Sequence, residues 1–178
     1  MSAEFAFFTS IGLSFIAWSM LTARYVWPRL RGMPRPEALQ PLLLLHAFRF
    51  VGLAFLVPGV VSADLPPDFA RAAAYGDIVA ATLALLSLLT LSREFGALFV
   101  WIFNIWGTAD LLIAFYLANR AGLVPGQLGA TYFIPTLVVP LLLITHAVVS
   151  RLLLQRSSVA AAQERHLQRE TRDAPARA

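Results

Sequence analysis

The chain of 178 residues contains no cysteine. That removes disulfides, thiolate-held iron–sulfur clusters, thiolate zinc sites and cysteine nucleophiles from consideration. Lysine is absent as well, since all fourteen basic residues are arginine. Without lysine there is no retinal or pyridoxal Schiff base and no phosphate-binding P-loop lysine. Charge of either sign is scarce: 13% of the residues are charged, against 58% that are hydrophobic, and the mean hydropathy is +0.70. An ordinary soluble domain carries about 25% charged residues, so this composition predicts a membrane protein. The net charge of +4 does not point to nucleic acid. The arginines stand mostly in short connections and in the tail, beside apolar runs, where they act as topology signals and contacts to anionic lipid.

Long apolar runs are what the chain does have. About 20 apolar residues in a helix cross roughly 30 Å of hydrocarbon. Five segments meet that requirement: 5–23, 41–61, 72–91, 96–118 and 132–154. The third is interrupted by Asp77, which leaves a shallower, four-span arrangement as the alternative. The residues before the first run, "MSAE", carry no basic region, so a cleaved signal peptide is not expected. The fold class predicted is an all-α, polytopic bundle of five transmembrane helices over residues 1–154. A polar tail at 155–178, which includes His166, is expected to be cytoplasmic, helical at first and then frayed.

Arginine placement sets the expected orientation. Arg24, Arg29, Arg31, Arg35, Arg93 and the residues from Arg151 onward share one side. The other side has only Arg71 and Arg120, together with Asp64 and Asp68. The positive-inside rule then places the amino terminus outside and the carboxyl terminus in the cytoplasm of an inner-membrane, multi-pass protein.

Candidate functional residues are the polar ones inside these runs, because an ionisable group there faces a partner or a cavity rather than lipid. At about 1.5 Å per residue, His46, Arg49, Asn104 and His146 share one tier, roughly 8 to 12 Å from the cytoplasmic ends of their helices. Asp77 and Asp110 form a second tier, roughly 21 Å from that side. Arg49 is long enough to reach from one tier to the other, and an Arg49–Asp110 bridge would lower the insertion cost of both; two unpaired carboxylates at one depth, one of them protonated, are the alternative. The plainer readings are interhelical hydrogen bonds for the histidines and Asn104, snorkelling for Arg49, and an interfacial position for Asp77. Gly76, Ala80 and Ala84 make a smooth small-residue face, as do Gly107 and Ala114. Such faces suit tight packing of the third and fourth helices or, alternatively, homodimerisation. Pro140 is expected to free the carbonyl of Thr136 and to kink the fifth helix.

Several functions compete for these residues. The reading favoured by the residue pattern is binding or transport of a small solute, ion or proton by His46, Arg49, Asp77, Asn104, Asp110 and His146. A second makes His46 and His146 the axial ligands of a b-type haem, with Arg49 on a propionate. No other cofactor is suggested. A third is a lipid-modifying enzyme, which is less favoured because no HExxH helix or G-x-S-x-G elbow is present. A fourth is an accessory subunit of a larger membrane complex, and a homo-oligomer is a further possibility for its assembly.

Overall fold

A computed structural model describes residues 2–155. It contains five long helices: α1 (Ala3–Leu30), α2 (Arg35–Leu56), α3 (Pro67–Thr90), α4 (Gly96–Arg120) and α5 (Ile134–Gln155). No strand occurs among the described residues. All five helices are long and apolar enough to cross a membrane. Large apolar side chains are exposed along the outside of the bundle, from Phe8 at 69% to Leu89 at 76%. An apolar exterior of that extent is rare on a soluble monomer, and it suits a membrane protein. The third helix runs unbroken for 24 residues through Asp77 and is long and apolar enough by itself to cross a membrane. Of the tail expected at 155–178, Gln155 ends α5 and residues 156–178 lie outside the described residues.

Local chemistry explains where the helices begin. The Ser2 side chain caps α1 by accepting from the Phe5 N–H at 3.2 Å. Both α2 and α3 open on a proline in the first turn followed by an acidic residue, Glu37 or Asp68, as the orphan N–H groups and the dipole of a helix start favour. The helices are therefore longer at their polar ends than the apolar runs alone indicate.

Proline also explains two irregular turns. In α1, residues Thr22–Val26 form a π-helical turn just before Pro28, and in α5 residues Ile134–Val138 do the same before Pro140. A proline offers no N–H to the carbonyl four residues earlier. The ladder answers by widening to i→i+5, as in the bond from Val139 N–H to Ile134 O. The predicted kink at Pro140 thus takes the form of a π-bulge. The Thr136 hydroxyl bonds back to Tyr132 O at 2.8 Å.

The most consequential irregularity lies in α2, whose second half, Phe48–Leu56, winds as a 3-10 helix. Runs of that winding beyond four residues are uncommon. Three residues per turn bring His46, Arg49, Gly52 and Phe55 onto one line, and all four are buried. In an α-helix, His46 and Phe55 would be rotated about 180° apart. The change of winding therefore turns the Arg49 side of α2 toward the bundle interior over its whole length.

The helices alternate in direction. The upper end, where α1 begins, holds the connections between α2 and α3 and between α4 and α5. The predicted tight pairing of the third and fourth helices is observed, with Gly76, Ala80 and Ala84 all buried. That small-residue face is consumed within the chain rather than left for a second copy. By contrast, α1 buries no residue of Ala3–Leu21 and lies along α5. It is held there by the Trp18 indole N–H donating to Leu137 O at 3.1 Å and by the Arg151 guanidinium 4.3 Å over the Trp27 ring.

Apolar packing is split into two clusters. One joins Leu39, Leu43, Val100, Phe103 and Val149 in the lower half, and the other joins Phe55, Phe69, Leu111, Leu128 and Val139 above. The upper connections are sewn together by Ser62 N–H to Gln127 O at 3.0 Å, Ala130 N–H to Val60 O at 2.8 Å and Gln127 Nε2–H to Asp64 O at 2.8 Å. Gly129 permits this closure, because its φ is +53° and a Cβ there would collide with the Val60 carbonyl. Gly129→Ala is expected to lower the thermal midpoint of the purified protein by several degrees, on the order of 1–3 kcal/mol of backbone strain. Gly126→Ala in the same connection should leave it unchanged, since a Cβ there meets nothing within 4 Å.

Candidate functional site

Between the two apolar clusters lies a layer of buried polar side chains: His46, Arg49, Asp77, Asn104 and His146, with Asp110 at its edge. Every residue singled out from the sequence falls in this layer, and hydrogen bonds join five of the six into one network.

Arg49 is its centre. The 3-10 turn aims the guanidinium between α3 and α4, where Nε donates to Asp77 Oδ1 at 2.7 Å and Nη2 donates to Asp110 Oδ2 at 2.5 Å. Nη1 donates to the Gly107 carbonyl at 3.2 Å and reaches His146 Nε2 at 3.4 Å. The Arg49 side chain is 1% exposed, so it is not snorkelling. The bridge to Asp110 is present, and a second carboxylate, Asp77, shares the same guanidinium.

Hydrogen-bond direction assigns the tautomer of His146. A guanidinium can only donate, so Nε2 accepts and the proton sits on Nδ1, which donates to Asn104 Oδ1 at 3.0 Å. Asn104 Nδ2 then donates to Ser150 Oγ at 2.7 Å, and the Ser150 hydroxyl donates to His146 O at 3.0 Å. The line runs from the two carboxylates through Arg49, His146 and Asn104 to Ser150, down the α4–α5 seam.

His46 stands beside this line. The Thr145 hydroxyl spends its hydrogen on the carbonyls of Leu141 and Leu142, each at 2.9 Å. The 3.0 Å contact to His46 Nε2 is therefore a donation from the imidazole, and His46 Nδ1 is left a buried acceptor without a partner. The two imidazoles lie against each other, with centroids 4.2 Å apart, and the Phe103 ring packs 5.0 Å and 5.1 Å from them. In this arrangement there is no room for a porphyrin between the rings, and three of their four nitrogens are in hydrogen bonds. Among the described residues, no group of three or more His, Asp or Glu side chains is placed to hold a metal ion.

Three glycines make the approach of these side chains possible, in a pattern that repeats from helix to helix. A Cβ at Gly52 of α2 would occupy the place of the Asp77 carboxylate from α3, and one at Gly76 of α3 that of the Asp110 carboxylate from α4. A Cβ at Gly107 of α4 would stand 2.5 Å from the His146 ring of α5 and 2.9 Å from Arg49 Nη1. Each helix thus clears its backbone for the polar residue of the next. Gly52, Thr145 and Ser150 escaped the reading of the sequence. A glycine has no side chain to stand out in an apolar run, and hydroxyl groups scattered in apolar helices carry little signal by themselves.

The carboxylates also form the floor of a cavity of about 410 Å³ in the upper half of the bundle. Its walls are apolar and rich in phenylalanine, and its roof is the joined upper connections. The Asp77 and Asp110 side chains keep 10% and 12% of their surface open to it. A second, shallower groove of about 580 Å³ on the lower flank, between α4 and α5, reaches the other end of the polar line at His146 and Ser150.

Residues 6–154 match the family described as a domain of unknown function, DUF8737, and the chain belongs to that family. No curated protein and no solved structure matches it.

Because breaking a buried ion pair strands a charge, Arg49→Leu is expected to cost about 3–5 kcal/mol of stability. Unfolding monitored in mild detergent would register this, and adding Asp77→Asn and Asp110→Asn should recover much of the loss. Gly52→Ala should disturb the same pair by pushing Asp77 aside, whereas Gly12→Ala, where a Cβ meets nothing within 4 Å, serves as the neutral comparison.

Proposed function

We propose that this chain is a multi-pass inner-membrane protein that binds or transports a small solute, ion or proton at the Arg49–Asp77–Asp110 cluster. The observation that carries this reading is the placement of two carboxylates, tied to one buried arginine, on the floor of an otherwise apolar cavity. A buried ion-pair cluster is a poor source of net stability, because desolvation offsets most of the Coulombic attraction. A polar cluster that opens onto a cavity is better accounted for by a ligand than by structure alone. The chain of His146, Asn104 and Ser150 toward the lower groove adds a route by which the cavity and the opposite end communicate.

Orientation follows from the arginines. Arg24, Arg29, Arg31 and Arg35, with Arg93, stand at the lower end of the helices, and the cavity opens in the upper half. On the positive-inside rule the cavity is extracytoplasmic and the lower groove cytoplasmic. The haem alternative has less support, since the imidazoles are in mutual contact and engaged in hydrogen bonds; a Soret band in protein purified from haem-sufficient cells would restore it.

Two measurements test the proposal. In proteoliposomes, ion or proton flux above that of empty vesicles is expected, falling to background with Asp110→Asn. A flux that Asp110→Asn leaves unchanged contradicts the assigned site. The natural absence of cysteine makes orientation simple to read from single replacements at exposed connections. Ala63→Cys should react with an impermeant maleimide from outside intact cells and Ser92→Cys should not. The reverse labelling would invert the topology.

A further inference from the structure

Building on the solute-site reading, we infer that the cavity above Asp77 and Asp110 takes a lipophilic monocation of the protonated-amine class, an apolar body carrying one ammonium group. The first argument is charge. Arg49 supplies one positive charge and the two aspartates, when both are ionised, two negative ones; His146 accepts from Arg49 and donates to Asn104, which makes it neutral, and the buried Nδ1 of His46 has no acceptor beside it to hold a second proton. The cluster is therefore one positive charge short, in surroundings where an uncompensated charge is costly.

The second argument is which atoms face the space. The Arg49 guanidinium is 1% exposed, with four of its N–H groups directed at Asp77, Asp110, Gly107 O and His146, so it offers the cavity almost nothing. The carboxylates are the groups that remain partly open at the floor, and an ionised carboxylate only accepts. A ligand that meets them must donate. An anion would find no free cation there, and a neutral body would leave the extra charge unanswered.

The third argument is the wall. Phe7, Phe55, Phe69 and Phe115 line the cavity. Aromatic faces attract a cation and accommodate an apolar body at the same time. A volume of about 410 Å³ falls within the size of small-molecule sites, and is far more than a bare proton or a dehydrated metal ion requires.

The test is calorimetric titration of the full chain in nanodiscs of zwitterionic lipid, against empty nanodiscs, with three probes of one shape: 2-phenylethylammonium, 2-phenylethanol and 3-phenylpropanoate. The ammonium should bind saturably and at least about tenfold more tightly than the alcohol, and the carboxylate should not bind. Asp110→Asn should weaken the ammonium by about tenfold or more. Ala114→Phe, which fills the space one turn from Asp110 without touching the charges, should weaken it as well and guards against an Asp110 variant that fails to fold. Equal binding of the alcohol or the carboxylate would overturn the cation inference while leaving a solute site in place. Ammonium binding that Ala114→Phe does not alter would move the site elsewhere and overturn it too. Binding of none of the probes, together with no flux in vesicles, would overturn both this inference and the function on which it rests.

Discussion

One guanidinium shared by two carboxylates from different helices is the interaction on which the rest of the structure depends. Arg49 joins α2 to α3 through Asp77, to α4 through Asp110 and Gly107, and to α5 through His146. Four of the five long helices are therefore registered by one side chain. In a hydrocarbon surrounding, where apolar contact between helices has little advantage over contact with lipid, polar groups and close backbone approach are what specify partners. The three glycines and the arginine are two halves of that specification: the glycines bring the backbones near, and the ion pairs fix the axial register.

The geometry that permits this is a change of winding. Had α2 continued as an α-helix past Ala47, the line of His46, Arg49, Gly52 and Phe55 would have wrapped around it and Arg49 would have shared a face with other neighbours. The 3-10 segment keeps that line straight, so α2 contributes an imidazole, a guanidinium, a gap for Asp77 and an aromatic cavity wall in successive turns. Nine residues of less favourable hydrogen-bond geometry are sustained because the polar layer and the upper cluster hold them.

Much of this was legible in the sequence. The five apolar runs, the six polar residues within them and the reach of Arg49 toward Asp110 all follow from composition and from counting residues along helices. Helix ends were less legible, because the capping residues Ser2, Pro34–Glu37 and Pro66–Asp68 are polar and lie outside the apolar runs. The two imidazoles were placed at one depth correctly, but a depth count carries no rotation about the helix axis. It could not tell rings facing across a gap from rings in tilted contact at 4.2 Å. The role of Gly52 was hidden for another reason, since a residue without a side chain gives no polar signal within an apolar run. The cavity was invisible for another: it is made of phenylalanines far apart in sequence, on α1, α2, α3 and α4.

The arrangement of charge around Arg49 can be read directly by solid-state NMR of the chain in lipid bilayers, using dipolar couplings between the guanidinium nitrogens of Arg49 and the carboxyl carbons of Asp77 and Asp110. Both couplings should be present at hydrogen-bonding distance, in a guanidinium protected from bulk water. A coupling to neither carboxylate, or a guanidinium exchanging freely with interfacial water, would contradict the account.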